Sequence, residues 1–581
     1  MKCISGRPSS APIKATGAPC SSAATVSRST AAIACGTPPR IRRISASGKN
    51  RGVARTDPSQ TVSSASVSAA LLSVISTVFM LFLLFLRAKL APWANICYTV
   101  KDAPPAGIGR YGQNEGSYRT VAKAEIRMTE GPIGKQLVSF AIPLFLGFLF
   151  QQLYNTADAL IVGNMLGNGA LAAVTGTGTL IFLLVGFFGG ISMGAGVVVS
   201  RFFGSREEEK MRAAIHTNIA FGLAAGTFLT VVGMLFTPQI LQWMGTPDEV
   251  MPQSVAYIRT YFAGSIALVM YNQCRGIMQA VGDSRHPLYY LIVSSVANVI
   301  MDILLIGAFG MDVEGAALAT VISQFVSVFL CMRRLLSPAS GAYRVRWREI
   351  RFDPAMTRMI LAYGLPSGLQ NSVIALANVV VQSNINAYGE MAMSGCGAYA
   401  KVEGFAFLPI TSFTAAITTF VGQNLGAGDL KRTRKGARFG ILCSIIIAEA
   451  IGALLYAAAP LLIRAFTQEP EAIAFGVQKM RTCALFYFLL ALSHCLAAVM
   501  RGAGRAVIPM ISMLAFWCVV RVGIIAVATP VFRSIAVVNW VYPITWALSS
   551  LFLLIYYLKA NWMTVPDKPD KADPPVPDAE G

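Results

Sequence analysis

The sequence predicts an all-α protein that crosses a membrane twelve times, as two parallel repeats of six helices. Three observations predict it. Hydrophobic residues make up 55% of the 581-residue chain and charged residues only 13%. A soluble domain carries about 25% charged residues, so this composition cannot build a water-facing surface. Apolar stretches of about 20 residues, the length that crosses a bilayer as helix, recur along the chain. The second half also repeats the first at an offset of about 222 residues, a period far too long for a solenoid unit. Gly204 matches Gly426, Pro238 matches Pro460, Arg259 matches Arg481, Gly282 matches Gly504 and Pro287 matches Pro509, while Pro143 meets Pro366 after a one-residue slip.

The predicted spans in the first half are 138–161, 174–199, 213–236, 254–277, 288–309 and 315–336. Those in the second are 358–386, 398–421, 437–464, 475–499, 507–530 and 536–558. An even number of spans per half returns the chain to its starting side, so the halves are parallel repeats about an axis along the membrane normal. The expected division is 128–337 for the first bundle, 338–355 for a basic connecting loop and 356–560 for the second bundle, with a disordered Pro/Asp/Lys-rich tail over 561–581.

The formal charge of +20 does not indicate a nucleic-acid partner, because the charges alternate with the loops. Basic clusters run from Arg201 to Arg212, Arg275 to Arg285, Arg333 to Arg358, Lys431 to Arg438 and Arg501 to Arg505. The intervening loops are poorer in Lys and Arg and include Thr246-Pro247-Asp248-Glu249. The positive-inside rule makes the basic set cytoplasmic, which places both ends of the twelve-helix core inside the cell. The eleven cysteines show no CxxC pair or metal-ligand spacing and read as small hydrophobes within helices.

Residues 1–127 have no counterpart in the repeat. Positions 1–67 are rich in Ser, Ala and Arg, an apolar stretch covers 67–86, and irregular polar sequence continues to Met128. A targeting peptide, a thirteenth span and upstream sequence ahead of a true start at Met128 are the competing readings. A thirteenth span would put the basic 1–67 segment outside, against the charge rule. The start at Met128 is therefore preferred.

Ionisable side chains inside a membrane are costly and mark function. Asp158 lies late in the first span, Asn298 and Asp302 share one face of the fifth at i and i+4, and Thr320 sits in the sixth. Two carboxylates, an amide oxygen and a hydroxyl suit a hard cation or a proton relay. Desolvation and like-charge repulsion both disfavour ionisation of paired carboxylates, which lets them exchange protons near neutral pH. Glu403, near Lys401, reads as interfacial or as a secondary site. Glu449 and Arg521 read as an ion pair inside the second bundle, and His494 as a satisfied interhelical hydrogen-bonder. The Gly186, Gly190, Gly194 spacing lets helices approach closely. Pro143 and Pro366 open the first helix of each half and are expected to kink it; a bend at Pro143 would link protonation of Asp158 to motion.

From Gly131 to about Lys559 the chain resembles the bacterial branch of the MATE (multidrug and toxic compound extrusion) family. The resemblance rests on Phe150-Gln-Gln-Leu-Tyr-Asn-Thr-Ala-Asp158, on Gly282-Asp-Ser-Arg-His-Pro287 through Asn298 and Asp302 to Gly315-Ala-Ala-Leu-Ala-Thr320, and on Phe420-Val-Gly-Gln-Asn-Leu-Gly426. It implies V-shaped paired six-helix lobes and export of organic cations in exchange for H⁺ or Na⁺ by alternating access. It also implies a cation site at Asp158, Asn298, Asp302 and Thr320, transiently Na⁺-binding, with no other cofactor. The chain departs from the members that carry acids in the seventh and tenth helices: Asn371, Gln382, Asn384, Ser493 and His494 stand there instead. Coupling is therefore expected in the first half only, in a monomer of the cell membrane. The rival is a lipid-linked oligosaccharide flippase, which would need intramembrane cations; Arg521 is the one clear candidate. A membrane scaffold would not need the intramembrane acids, and no nucleophile, metal or nucleotide motif suggests an enzyme.

Overall fold

The computed structural model describes residues 126–563, and every regular element among them is helical. The expectations for residues 1–125, with the apolar stretch 67–86, and for 564–581 lie outside the described residues. The first bundle comprises α1 (Ile133–Leu166), α2 (Asn168–Ser205), α3 (Glu208–Trp243), α4 (Met251–Ala263 and Ser265–Ala280), α5 (Arg285–Asp302, continued by a π-helical turn Ile303–Ala308) and α6 (Val313–Leu336). The second comprises α7 (Pro354–Asn386), α8 (Glu390–Ala406 and Leu408–Gly426), α9 (Leu430–Arg464), α10 (Pro470–Ala484 and Tyr487–Gly502), α11 (Val507–Met513, a π-helical Leu514–Val520, then Arg521–Phe532) and α12 (Ile535–Lys559).

Ten of these helices are long and apolar enough to cross a membrane, and α10 makes an eleventh when its two parts, bent by 55°, are joined. The remaining one, α4, is broken at Gly264 into parts of 13 and 16 residues, each too short to cross alone. Both α4 and α10 are followed, two residues past their ends, by a glycine at the same repeat position, Gly282 (φ 91°) and Gly504 (φ 74°). That left-handed conformation is open to glycine without a Cβ clash, so the chain turns identically in both halves.

The bundles meet most extensively along α2 and α7. A Cβ on Gly190 would overlap the backbone of Gly368, and one on Gly194 the backbone of Gly364. Asn371 Nδ2 donates to the Gly186 carbonyl at 3.1 Å beside them. The glycine series is thus the seam between the repeats, where backbone approach replaces side-chain packing.

The loops alternate between two ends. At one end Gln253 Nε2, in the first turn of α4, donates to Asp312 before α6 at 3.1 Å. At the other, basic end the bundles are tied together. Arg201 Nη2 donates to the Ala503 carbonyl at 2.6 Å and its Nη1 to Tyr363 Oη at 3.2 Å. Gln423 Nε2 donates to the Ala280 carbonyl at 2.8 Å. Met128 is fully buried between the two halves: its amide donates to Gln423 Oε1 at 3.0 Å, and its carbonyl accepts from Asn424 Nδ2 and Arg432 Nε, each at 3.1 Å.

Two expectations change here. Pro143 and Pro366 do not open their helices but lie well inside α1 and α7, which continue through them. Proline has no N–H to give, so the Ser139 carbonyl loses its helical partner without a break in α1. Arg275, expected in a basic loop, is half-buried within α4, over the rings of Tyr271 (5.7 Å) and Phe148 (6.0 Å).

Candidate functional site

The first-bundle site forms where α1 meets α5. Asp302 is fully buried, Asn298 is 1% exposed and Asp158 is half-buried. The Asp158 and Asp302 carboxyls face each other closely enough to interact. Neither oxygen of Asp302 has a hydrogen-bond donor, nor does Oδ1 of Asp158, and both amide atoms of Asn298 lack partners. Two facing carboxyls are acceptors only when ionised. The arrangement therefore calls for a proton or a cation between them. The free oxygens of Asp158, Asp302 and Asn298 are the hard donors that a small cation prefers. Tyr154 and Tyr257 lie within the electrostatic reach of Asp158, and Tyr257 also within that of Asp302.

Asp302 is the last α-helical residue before the π-helical turn Ile303–Ala308. Such a turn widens the helix and redirects its side chains, and it recurs at functional positions. Thr320 is a weaker member. It is half-buried on α6, where its carbonyl accepts from Ser323 Oγ at 2.7 Å; no contact of its hydroxyl with the carboxyls is seen. Pro143 lies further along α1, lining a small cleft with Tyr271, Arg275 and Leu288.

The second bundle differs from expectation. Glu449 and Arg521 do not pair. Glu449 Oε2 accepts the amide of Phe488 at 3.1 Å, so it caps the first turn of the Tyr487–Gly502 segment, whose N–H groups have no helical partner. Arg521, 1% exposed, stacks over Tyr542 (4.5 Å) and Trp517 (5.0 Å), and Nη2 donates to Thr545 Oγ1 at 3.0 Å. Its acidic neighbour is Glu403. Glu403 is half-buried and accepts from Tyr399 Oη at 2.6 Å, while Lys401 is exposed. His494 Nε2 has no partner; the ring sits edge-on between Phe407 (5.0 Å) and Trp517 (5.3 Å). The sequence reading also missed Lys479, 4% exposed, over Tyr542 (5.0 Å) and Tyr399 (5.3 Å). Its position inside the predicted span 475–499 was the signal that could have found it. Among the described residues no cluster of three His, Cys, Asp or Glu side chains forms a metal site.

The MatE family model matches the chain twice, over residues 143–304 and 366–527. The probable multidrug resistance protein YoeA of Bacillus subtilis is 29% identical over 434 residues, 73% of this chain and 93% of that protein. The FAD transporter of Shewanella oneidensis is 23% identical over 378 residues, 63% and 79% of the two chains. The fold also matches a solved outward-facing multidrug resistance MATE family transporter of the MOP superfamily, with a TM-score of 0.69 at 22% identity over 75% of this chain and 97% of that one. With twelve helices in two matching halves, the chain is a multi-pass membrane transporter and belongs to the MatE family.

Proposed function

We propose that the protein is a cation-coupled antiporter that exports small amphipathic organic molecules across the cell membrane by alternating access. The observation that carries this reading is the pair of facing, donor-free carboxyls at Asp158 and Asp302. A proton or Na⁺ entering from outside neutralises the pair, with Asn298 supplying a third oxygen and Thr320 a fourth as the helices close. The ion is released inward when the opposite state is adopted. Exchange is obligatory because ion and cargo bias the same two-state element in opposite directions. The names of the relatives, multidrug resistance and FAD transport, support a small-molecule cargo.

With the basic end cytoplasmic, the bonds of Arg201, Gln423, Asn424 and Arg432 shut the inward path. Each contributes about 1 kcal/mol net, so together they hold a closed state by the few kcal/mol that ion binding can overturn. Pro143 leaves α1 one bond short on the route from this closure to Asp158. The family resemblance implies organic cations as cargo; the contrast with a flippase rested on Arg521 as the one clear intramembrane cation, and Lys479 adds a second.

The test is efflux in inverted vesicles under an imposed pH or sodium gradient. One of the two gradients should drive export, and Asp158→Asn and Asp302→Asn should each abolish the drive. Wild-type rates in both variants would refute the assignment.

A further inference from the structure

The two bundles carry buried charge of opposite sign. The first holds the carboxyls of Asp158 and Asp302, and that of Asp283 beside His286. The second holds Lys479 and Arg521, both more than nine-tenths buried, against Glu403 as their neighbouring carboxylate. Neither cation is within ion-pair distance of Glu403; each is held on aromatic faces instead, and Nε of Arg521 has no partner. Arg521 follows directly on the π-helical turn Leu514–Val520 of α11, as Asp302 directly precedes that of α5. The corresponding helix of each repeat therefore presents its buried ionisable group at an α–π junction.

A buried cation without a paired anion is costly. Here the cluster holds a surplus of one positive charge when Glu403 is ionised, and Tyr399 already occupies one oxygen of that carboxylate. The walls are aromatic: Tyr399, Tyr487, Tyr542, Trp517 and Trp546. Glu403 and Tyr542 are the half-buried members of the cluster.

We infer that Lys479 and Arg521 form a cargo site for the anionic group of an aromatic or apolar organic acid, with Glu403 holding the site's charge in check. The inference rests on the transporter reading and gives it a substrate class. The acid group completes the pairing of both cations, and the ring system lies on the tyrosine and tryptophan faces. Glu403, repelling the ligand, sets how readily the acid is released.

The test is equilibrium binding to the purified full chain in nanodiscs, without any ion gradient, by titration calorimetry. Two probes share one ring system and differ in charge: 1-naphthylacetate and 1-naphthylmethylammonium. The wild-type protein should bind the acetate at least tenfold more tightly than the ammonium. Lys479→Gln and Arg521→Gln should each weaken acetate binding at least tenfold, whereas Glu403→Gln should strengthen it. Equal binding of the two probes, preference for the ammonium, or a loss of acetate binding in a folded Glu403→Gln protein overturns the inference. The probe comparison in the wild type needs no variant to fold. Asp158→Asn should keep acetate binding while losing gradient-driven export, so failure of the coupling reading and failure of this one are separately visible.

Discussion

Gly426 packs against the carbonyl of Arg201 with no room for a side chain between them. The repeat makes this contact reciprocal. Arg201 and Gln423 are equivalent positions, as are Gly204 and Gly426, and Gly204 packs in the same way against the carbonyl of Gln423. Gly422, equivalent to Ser200, meets Ser200 itself. A residue that touches its own counterpart lies on the axis, and the flanking pair exchanges contacts across it, as in an isologous dimer interface. The pseudo-two-fold axis thus passes between α2 and α8 at the basic end.

Reciprocity predicts equal penalties. Gly204→Ala and Gly426→Ala should each destabilise by about 1–3 kcal/mol, the usual cost of overpacking. Both should lower the melting temperature in detergent by similar amounts. A silent change at one position beside a severe one at the other would disprove the symmetric contact.

Gln423 and Asn424 use the same junction to clasp Met128. Gln423 both accepts from the Met128 amide and donates to Ala280, so Gln423→Ala removes two bonds between the halves. At about 1 kcal/mol each, roughly a tenfold or greater rise in opening should follow. Hydrogen exchange at residues 126–130 should quicken accordingly, with α12 unchanged as an internal reference.

The segment joining the bundles is stapled to α3. His216 Nδ1 lies 2.7 Å from the Arg212 carbonyl and must donate to it, so Nε2 is left to accept the Arg346 amide at 2.9 Å. Thr217 Oγ1 accepts the Asp353 amide at 3.2 Å nearby. On the same segment, the Arg346 guanidinium holds the exposed Glu349 carboxyl below its usual range. His216→Phe leaves the Arg346 amide without a partner, a cost of about 1–3 kcal/mol. Trypsin should then cut at Arg344, Arg346 or Arg348 several-fold faster than in the wild type. An unchanged rate would show that the staple does not restrain the segment.

Ten of the twelve predicted spans, and α10 with its two parts joined, were legible because membrane helices must satisfy their backbone internally and so announce themselves by length and apolarity; the break of α4 at Gly264 was not. Asp158 and Asp302 stood out as acids within spans, and Asn298 as the polar residue one turn before Asp302; their part in coupling is the proposal made above. Partner choice was not legible. Glu449 and Arg521 look like a pair by sign alone, yet the break in α10 supplies Glu449 with an amide, and helix rotation turns Arg521 towards Tyr542 and Thr545. Lys479 was hidden by its place near the start of its span, where a lysine can also reach the interface.

The corrected pairing in the second bundle can be measured by double-mutant cycles. Glu449→Ala removes the acceptor for the Phe488 amide and should cost about 0.5–2 kcal/mol, the range for a lost helix N-terminal bond; Glu449→Gln keeps an oxygen acceptor and should lose less. Because Glu449 makes no contact with Arg521, Glu449→Ala and Arg521→Met should add within about 0.5 kcal/mol. Glu403 and Arg521 are buried charges that act on each other electrostatically, so Glu403→Gln with Arg521→Met should deviate from additivity by about 0.5 kcal/mol or more. The sign follows from charge: losing Glu403 alone leaves two buried cations less compensated, and losing Arg521 as well relieves part of that excess. Additive Glu403 and Arg521 changes alongside a coupled Glu449 and Arg521 pair would restore the ion pair that the sequence suggested.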